Sequence, residues 1–334
     1  MKAQHWTRLM AAAAMAMAFG MASASAQTLT FRLGHVDNQT THSGVGVDAF
    51  AAEVARLSNG QMKIEVFHAG KLGSIPEEIK NVLTGAQDMH LLYPEFLANN
   101  MDEAKILSAP YVFRDLPHLQ AYMKSDLFKP AIEKLKAQGA VILDPDWTWF
   151  QNDPRGLIST KPVIQPADMN GMKLRIWESK TAIETWKGLG ANPSVIARPE
   201  MYLAFKQGII EAGPETIGIA YDAKNVEVAK YWTRTDEYYQ IINIMMNKRR
   251  YGQLTDEQHR ILHEAALAGG KVFATESARG YSEKREKARA EFGVSIIEPN
   301  PAPWRDLGRT VLATLEDQGV IPKGLAAKAA DLKN

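Results

Sequence analysis

The sequence predicts an α/β fold in two domains, with parallel-rich sheets, a ligand cleft between the domains and one long helix spanning both. Three observations point there. Strand-period and helix-period segments alternate in β-α-β-α-β order twice along the chain. Setting aside the first 26 of 334 residues leaves 308, which suits two domains of about 150 residues each. A helical pattern from Thr255 to about Phe292, at ~1.5 Å rise per residue, reaches roughly 50 Å, more than one domain's width.

The first 26 residues are read apart from the fold. Lys2 and Arg8 precede the apolar stretch LMAAAAMAMAFGMA, and small residues at Ala24 to Ala26 precede Gln27. This is the pattern of a secretory signal peptide cleaved after Ala26, too short to be a membrane span. No later stretch reaches about 18 uninterrupted apolar residues, so a soluble mature chain is expected. The chain has no Cys, hence no lipid-anchor cysteine, no disulfide and no thiol catalyst. A free protein of the bacterial periplasm is the expected placement. Lys and Arg total 39 against 38 Asp and Glu. Without Lys2 and Arg8 the count is 37 against 38. That balance excludes nucleic acid as an expected partner, since phosphate binding needs a basic excess.

Residues 29–34 alternate Leu29, Phe31 and Leu33 as a strand. A polar loop, HVDNQTTHSG, follows; then Val47, Phe50, Val54 and Leu57 fall at helical spacing, closed by Gly60. Residues 62–67 form a second strand, 74–85 a helix with Ser74 and Glu77 as a capping box, and 88–93 a third strand. The order returns later. KLRIW is a strand that sets Leu174 and Ile176 against Lys173, Arg175 and Trp177. Thr181 and Glu184 have capping-box spacing and open a helix over 181–188. The short NPSVI, a helix over 199–208 with Pro199 first, and the strand IIEAG complete the unit. Gly269, Gly270 and Gly280 interrupt the long segment, which is read as one helix or two nearly end to end. The expected domains are 27–152 with about 240–280, and 153–239 with about 281–334.

Open parallel sheets bind ligands beyond the carboxyl ends of their strands. Arg175 and Glu215 lie near such ends. An isolated strand arginine is more often solvated than functional. Tyr93, Trp147, Trp149, Phe150, Trp177 and Tyr221 suit either pocket walls or core packing, with Trp147 in DPDWTW least like core. Asp37, Asn38 and Gln39 in the first loop reach a ligand's far end or are ordinary loop polarity. GVGVDA, Gly44 to Ala49, matches a dinucleotide fingerprint, yet about ten residues separate it from the strand where a tight turn is needed. No cofactor is therefore expected. His259 and His263 beside Glu264 have zinc spacing without an H-E-x-x-H order, and the segment reads as an amphipathic surface. No metal is expected, and no G-x-S-x-G is present.

Over essentially the whole mature chain the sequence resembles the substrate-binding proteins of TRAP transporters, the DctP type. The stretches that carry the resemblance are LGHVDNQTTHSGVGVDAFAAEVARLSNGQMKIEVFHAGKLG, GAQDMHLLYPEFL, LSAPYVFRDLPH and RGLISTKPVIQPADMNGMKLRIWESKTAIETWKGLGANPSVIARPEMYLAFKQGIIEAGPET. Their order and spacing are specific even though no single one is. The resemblance implies a periplasmic-binding-protein-like fold whose domains are joined by crossing strands and close on an organic acid. It implies delivery of that acid to the membrane subunits of a transporter driven by a sodium gradient. It implies that Arg175 makes a bidentate pair with the ligand carboxylate, and that Arg155, before the Lys161–Pro162 pair, approaches the same group. A planar guanidinium offers two parallel donors matched to a carboxylate.

The chain departs from the family pattern at Glu215, where an Asn is usual, and at Arg198, where a Phe is frequent. Sialic acid, four-carbon dicarboxylate and sugar-acid ligands all remain open. Glu215 and Arg198 either pair internally, with each other or through Glu215 to Arg155, or read the ligand. In the second case the ligand is a small hydroxylated or dicarboxylic acid, with Glu215 for a hydroxyl and Arg198 for a second anionic group. The alternatives are a ligand sensor for a membrane signalling partner and a periplasmic α/β enzyme acting on an acid. An enzyme needs an acid/base pair near the arginines, and Glu215 lacks a clear partner, so an enzyme is not expected. A monomer is.

Overall fold

The computed structural model describes residues 28–333; the signal peptide expected over 1–26 lies outside them. The described strands, in chain order, are β1 (Leu29–Gly34), β2 (Met62–Phe67), β3 (Met89–Leu92), β4 (Ala140–Ile142), β5 (Trp149–Phe150), β6 (Gly156–Ser159), β7 (Lys173–Ile176), β8 (Asn192–Val195), β9 (Ala212–Pro214), β10 (Tyr231–Arg234), β11 (Ile241–Asn247) and β12 (Ser295–Ile297). They form two sheets in a two-domain α/β architecture. The first runs β2-β1-β3-β11-β4, with β5 also on β11. β1 is parallel to β2 and β3, as strands joined by helical crossovers must be, while β11 is antiparallel to its neighbours. The second runs β12-β10-β6-β9-β7-β8. In it β9, β7 and β8 are parallel, and β6 and β10 run against each other.

Two crossings join the sheets. The chain passes from β5 to β6 through residues 151–155 and returns from β10 to β11 through 235–240. β11, IINIMMN, is buried along its whole length. Its unbroken apolar run is what a strand covered on both faces requires.

The long segment is a single helix, Asp256–Phe292, of 37 residues. Thr255 and Gln258 cap its start, and Gly293 in the left-handed region ends it. Its first half packs on the helix His42–Leu57 and on β5, its second on the helix Ile217–Asp222 and on β12. The internal glycines do not break it. A Cβ at Gly269 would lie 2.9 Å from Phe50 and 2.9 Å from Trp149, and one at Gly46 would lie 2.8 Å from Phe273. Both glycines serve close helix approach around Trp149, whose indole N–H donates to the Ala266 carbonyl at 2.9 Å. GVGVDA therefore lies inside a packed helix.

Local readings shift at three places. The helix after β1 starts at His42, capped by Thr41, so the loop is shorter than the polar run suggested. The helix after β7 starts at Lys180, because Ser179 stands in extended backbone and accepts from the Ala182 N–H at 3.3 Å. Thr181 falls in its first turn, and Glu184 pairs with Lys187. The segment over 199–208 divides into a 3-10 turn, Arg198–Glu200, and a helix, Met201–Lys206.

Candidate functional site

Lys173 is exposed, whereas Leu174, Arg175 and Ile176 are all buried. Arg175 is 3% exposed, and its Nε donates to the Ile196 carbonyl at 2.8 Å. Among the described residues it forms no ion pair with a carboxylate. Burial first, and then the neighbouring charge of Arg198, push its pKa down. A buried cation without an anion is costly, and this one borders an open space.

That space is a cavity of about 350 Å³ between the two sheets' ends, walled by Arg175, Trp177, Ile196, Arg198, Glu95 and Tyr238. Its size falls at the lower end of small-molecule sites. Among the described residues the indole Nε1 of Trp177 has no hydrogen-bond partner, and its ring meets Tyr238 edge-on at 5.9 Å. Arg175 and Trp177 are two residues apart at a strand end, so both present donors to one side.

Arg198 sits on the turn before the helix Met201–Lys206. Its Nη1 donates to Asp37 Oδ1 at 2.7 Å, and its guanidinium lies 5.5 Å from the Tyr93 ring centre. Asp37 also accepts from the Tyr93 hydroxyl, which lies 3.2 Å from Ser43 Oγ. Burial alone would raise the Asp37 pKa. The charges of Arg198 and His35, with the hydrogen bonds, hold it well below the usual carboxylate range.

Glu215 is buried at the end of β9, and its Oε2 accepts from Asn225 Nδ2 at 2.8 Å. Burial pushes its pKa up, against Arg198, Asn225 and Arg175. Among the described residues it forms neither of its two alternative internal ion pairs, with Arg198 or with Arg155. Arg198 pairs with Asp37, which is anchored closer, and Arg155 lies toward Glu237 at 3.9 Å. Arg155 stacks its guanidinium 4.6 Å over Tyr238, and Tyr238 in turn walls the cavity.

Trp147 lies outside the cavity. It is 1% exposed and packs on Phe128 at 5.8 Å. The Asp144 side chain accepts from the backbone N–H of Asp146 and Thr148, and the tight turn it closes directs Trp147 inward. Trp149 is core, and Tyr221 donates to Glu291. Tyr93 stands behind the Asp37–Arg198 pair. Asn38 is exposed and borders a smaller cavity of about 120 Å³ shared with Asp37, Arg198 and Asn225. Gln39 donates to Asp48.

Sequence reasoning missed Glu95, Tyr238 and Gln240. Glu95 Oε1 accepts from Gln240 Nε2 at 2.5 Å, joining β3's end to the return crossing. The one available signal was a lone carboxylate in the apolar LLYPEFL. Among the described residues no group of three His, Cys, Asp or Glu is placed to hold a metal. His259 contacts the Tyr251 carbonyl at 2.8 Å and His263 the Leu143 carbonyl at 3.1 Å. No described helix is long and apolar enough to cross a membrane.

Residues 33–318 match the family described as bacterial extracellular solute-binding protein, family 7, the DctP family. The chain is 27% identical over 281 residues to the 2,3-diketo-L-gulonate-binding periplasmic protein YiaO of Escherichia coli, covering 84% of each. It is 26% identical over 296 residues to the C4-dicarboxylate-binding periplasmic protein DctP of Rhodobacter capsulatus, covering 88% of this chain and 87% of that one. A TRAP periplasmic solute-binding protein from Ochrobacterium anthropi, solved with bound L-fuconate, superposes with a TM-score of 0.83 at 25% identity, covering 91% of this chain and 98% of that one. The chain belongs to the DctP family of solute-binding proteins.

Proposed function

We propose that this protein is a periplasmic receptor that captures an organic acid between its two domains and delivers it to the membrane subunits of a TRAP transporter. Arg175 is the carboxylate anchor. The observation that carries this reading is a buried guanidinium without a carboxylate ion pair among the described residues, facing a cavity of ligand size. A bidentate pair with a carboxylate would supply both the missing charge and planar acceptors. The acids named for the relatives support the ligand class. The signal-peptide pattern supports export to the periplasm.

The domains are divided as the sequence suggests, near residues 152, 240 and 280, so that the two crossings act as hinges. Arg155, on the first crossing, approaches the same carboxylate from its place over Tyr238. The test is a thermal-shift screen against organic acids. A ligand at about 100 times its Kd adds ~2.7 kcal/mol of stability. No stabilisation by any acid would defeat the reading.

A further inference from the structure

Resting on Arg175 as the anchor, we infer that the site selects acids with one carboxylate and hydrogen-bond donors at the far end, and that Glu95 is the residue that reads those donors. Glu95 opens the turn Pro94–Asn99 directly after β3. It is 5% exposed, yet it lines the cavity. The amide of Gln240, itself buried, holds Oε1 in place. Burial pushes the Glu95 pKa up, opposed by a backbone N–H, the charges of Arg155 and Arg198 and the Gln240 amide; in its ionised form the carboxylate is acceptor-only, with about four lone-pair sites on two oxygens. Gln240 fills one of these. The apolar and aromatic walls beside it, Phe96, Ile196 and Val36 among them, donate nothing. A ligand that brings hydroxyl or ammonium hydrogens fills the remainder; a methylene chain leaves them unmet, at the cost of desolvation.

The charge balance on the wall excludes a second carboxylate. Two guanidinium groups face the cavity, but Arg198 is already matched by Asp37 at 2.7 Å. Among the described residues Arg175 is the lining guanidinium without a carboxylate ion pair, so the wall offers a direct ion pair to one anionic group. A second would stand against Glu95 and against the exposed Glu77, Glu178 and Glu200 at the cavity's edge, where like charges repel. The site therefore favours a monocarboxylic acid rich in donors over a dicarboxylic one. Hydroxyl and ammonium groups share the chemistry that Glu95 recognises.

The experiment is calorimetry on the full mature chain with four six-carbon probes: D-gluconate with its epimers, 6-aminohexanoate, hexanoate and adipate. The polyhydroxy acids or the amino acid bind at least tenfold more tightly than hexanoate and adipate, and which of the two wins identifies the donor as hydroxyl or ammonium. Glu95→Gln keeps the size and the Gln240 contact. It weakens the favoured probe about 10- to 100-fold and leaves hexanoate within about twofold. Glu95→Asp, which keeps the charge but withdraws it by one methylene, loses part of the preference and serves as the test if the Gln variant melts early. Adipate or hexanoate binding as tightly as the favoured probe, or a preference that survives Glu95→Gln, overturns the inference. If no acid binds wild type, or Arg175→Lys binds all probes unchanged, the receptor reading itself fails and the inference with it.

Discussion

Asp37 and Arg198 are joined by a 2.7 Å ion pair across 161 residues of sequence. Asp37 follows β1 of the first sheet, and Arg198 follows β8 of the second, so the pair ties the two halves together at the cavity's edge. It also takes Arg198's charge away from the ligand. Removing either partner strands the other in a poorly hydrated place. Asp37→Asn is expected to lower stability by ~1–3 kcal/mol, and Arg198→Met in the same background to recover part of it. Chemical unfolding of both single variants and the double variant measures the coupling. Strictly additive losses would mean that the pair contributes nothing.

His35, buried behind this pair, has its pKa pushed down to about 4 by burial first, against the pull of Asp37 and with a further push from His68. His68 Nδ1 lies 2.8 Å from its Nε2. A depressed pKa means that the unfolded chain binds the proton first. His35 therefore contributes stability that is fully present above about pH 6.5 and is lost as pH falls toward 4. His35→Gln should flatten the stability profile in that window. A variant as steeply pH-dependent there as wild type would contradict the assignment.

Gly269 faces Phe50, Trp149 and the Gly46 carbonyl within about a methyl group's reach. Gly269→Val forces the helices Asp256–Phe292 and His42–Leu57 apart and is expected to destabilise by ~1–3 kcal/mol. Gly293→Asn, at a left-handed helix end with open space around it, is expected to cost less. Thermal unfolding of the two variants settles the order, and a larger loss at Gly293 would refute it.

The parallel order of β1, β2 and β3 was legible because a capped helix with a glycine stop separates each strand from the next, so periodicity alone tells them apart. The length of the helix Asp256–Phe292 was legible for the same reason, and its glycines look like breaks only until the facing helix is in view. The site was legible where a motif marks it, at Arg175. It was not legible where distant segments meet. Asp37 reads as loop polarity until Arg198 is brought to it. Trp147 lacks core periodicity because the turn built on Asp144, and not a helix or strand, buries it. Glu95 shows only as a charge among apolar residues, and its meaning rests on Gln240, 145 residues away.

The most direct measurement is the affinity of Arg175→Lys for the acid that stabilises wild type. Lysine keeps the charge but loses the two parallel donors. Calorimetry should show binding weaker by ~2–4 kcal/mol, with circular dichroism and melting temperature close to wild type. An unchanged affinity in a folded Arg175→Lys protein would contradict the assignment of Arg175 as the carboxylate anchor.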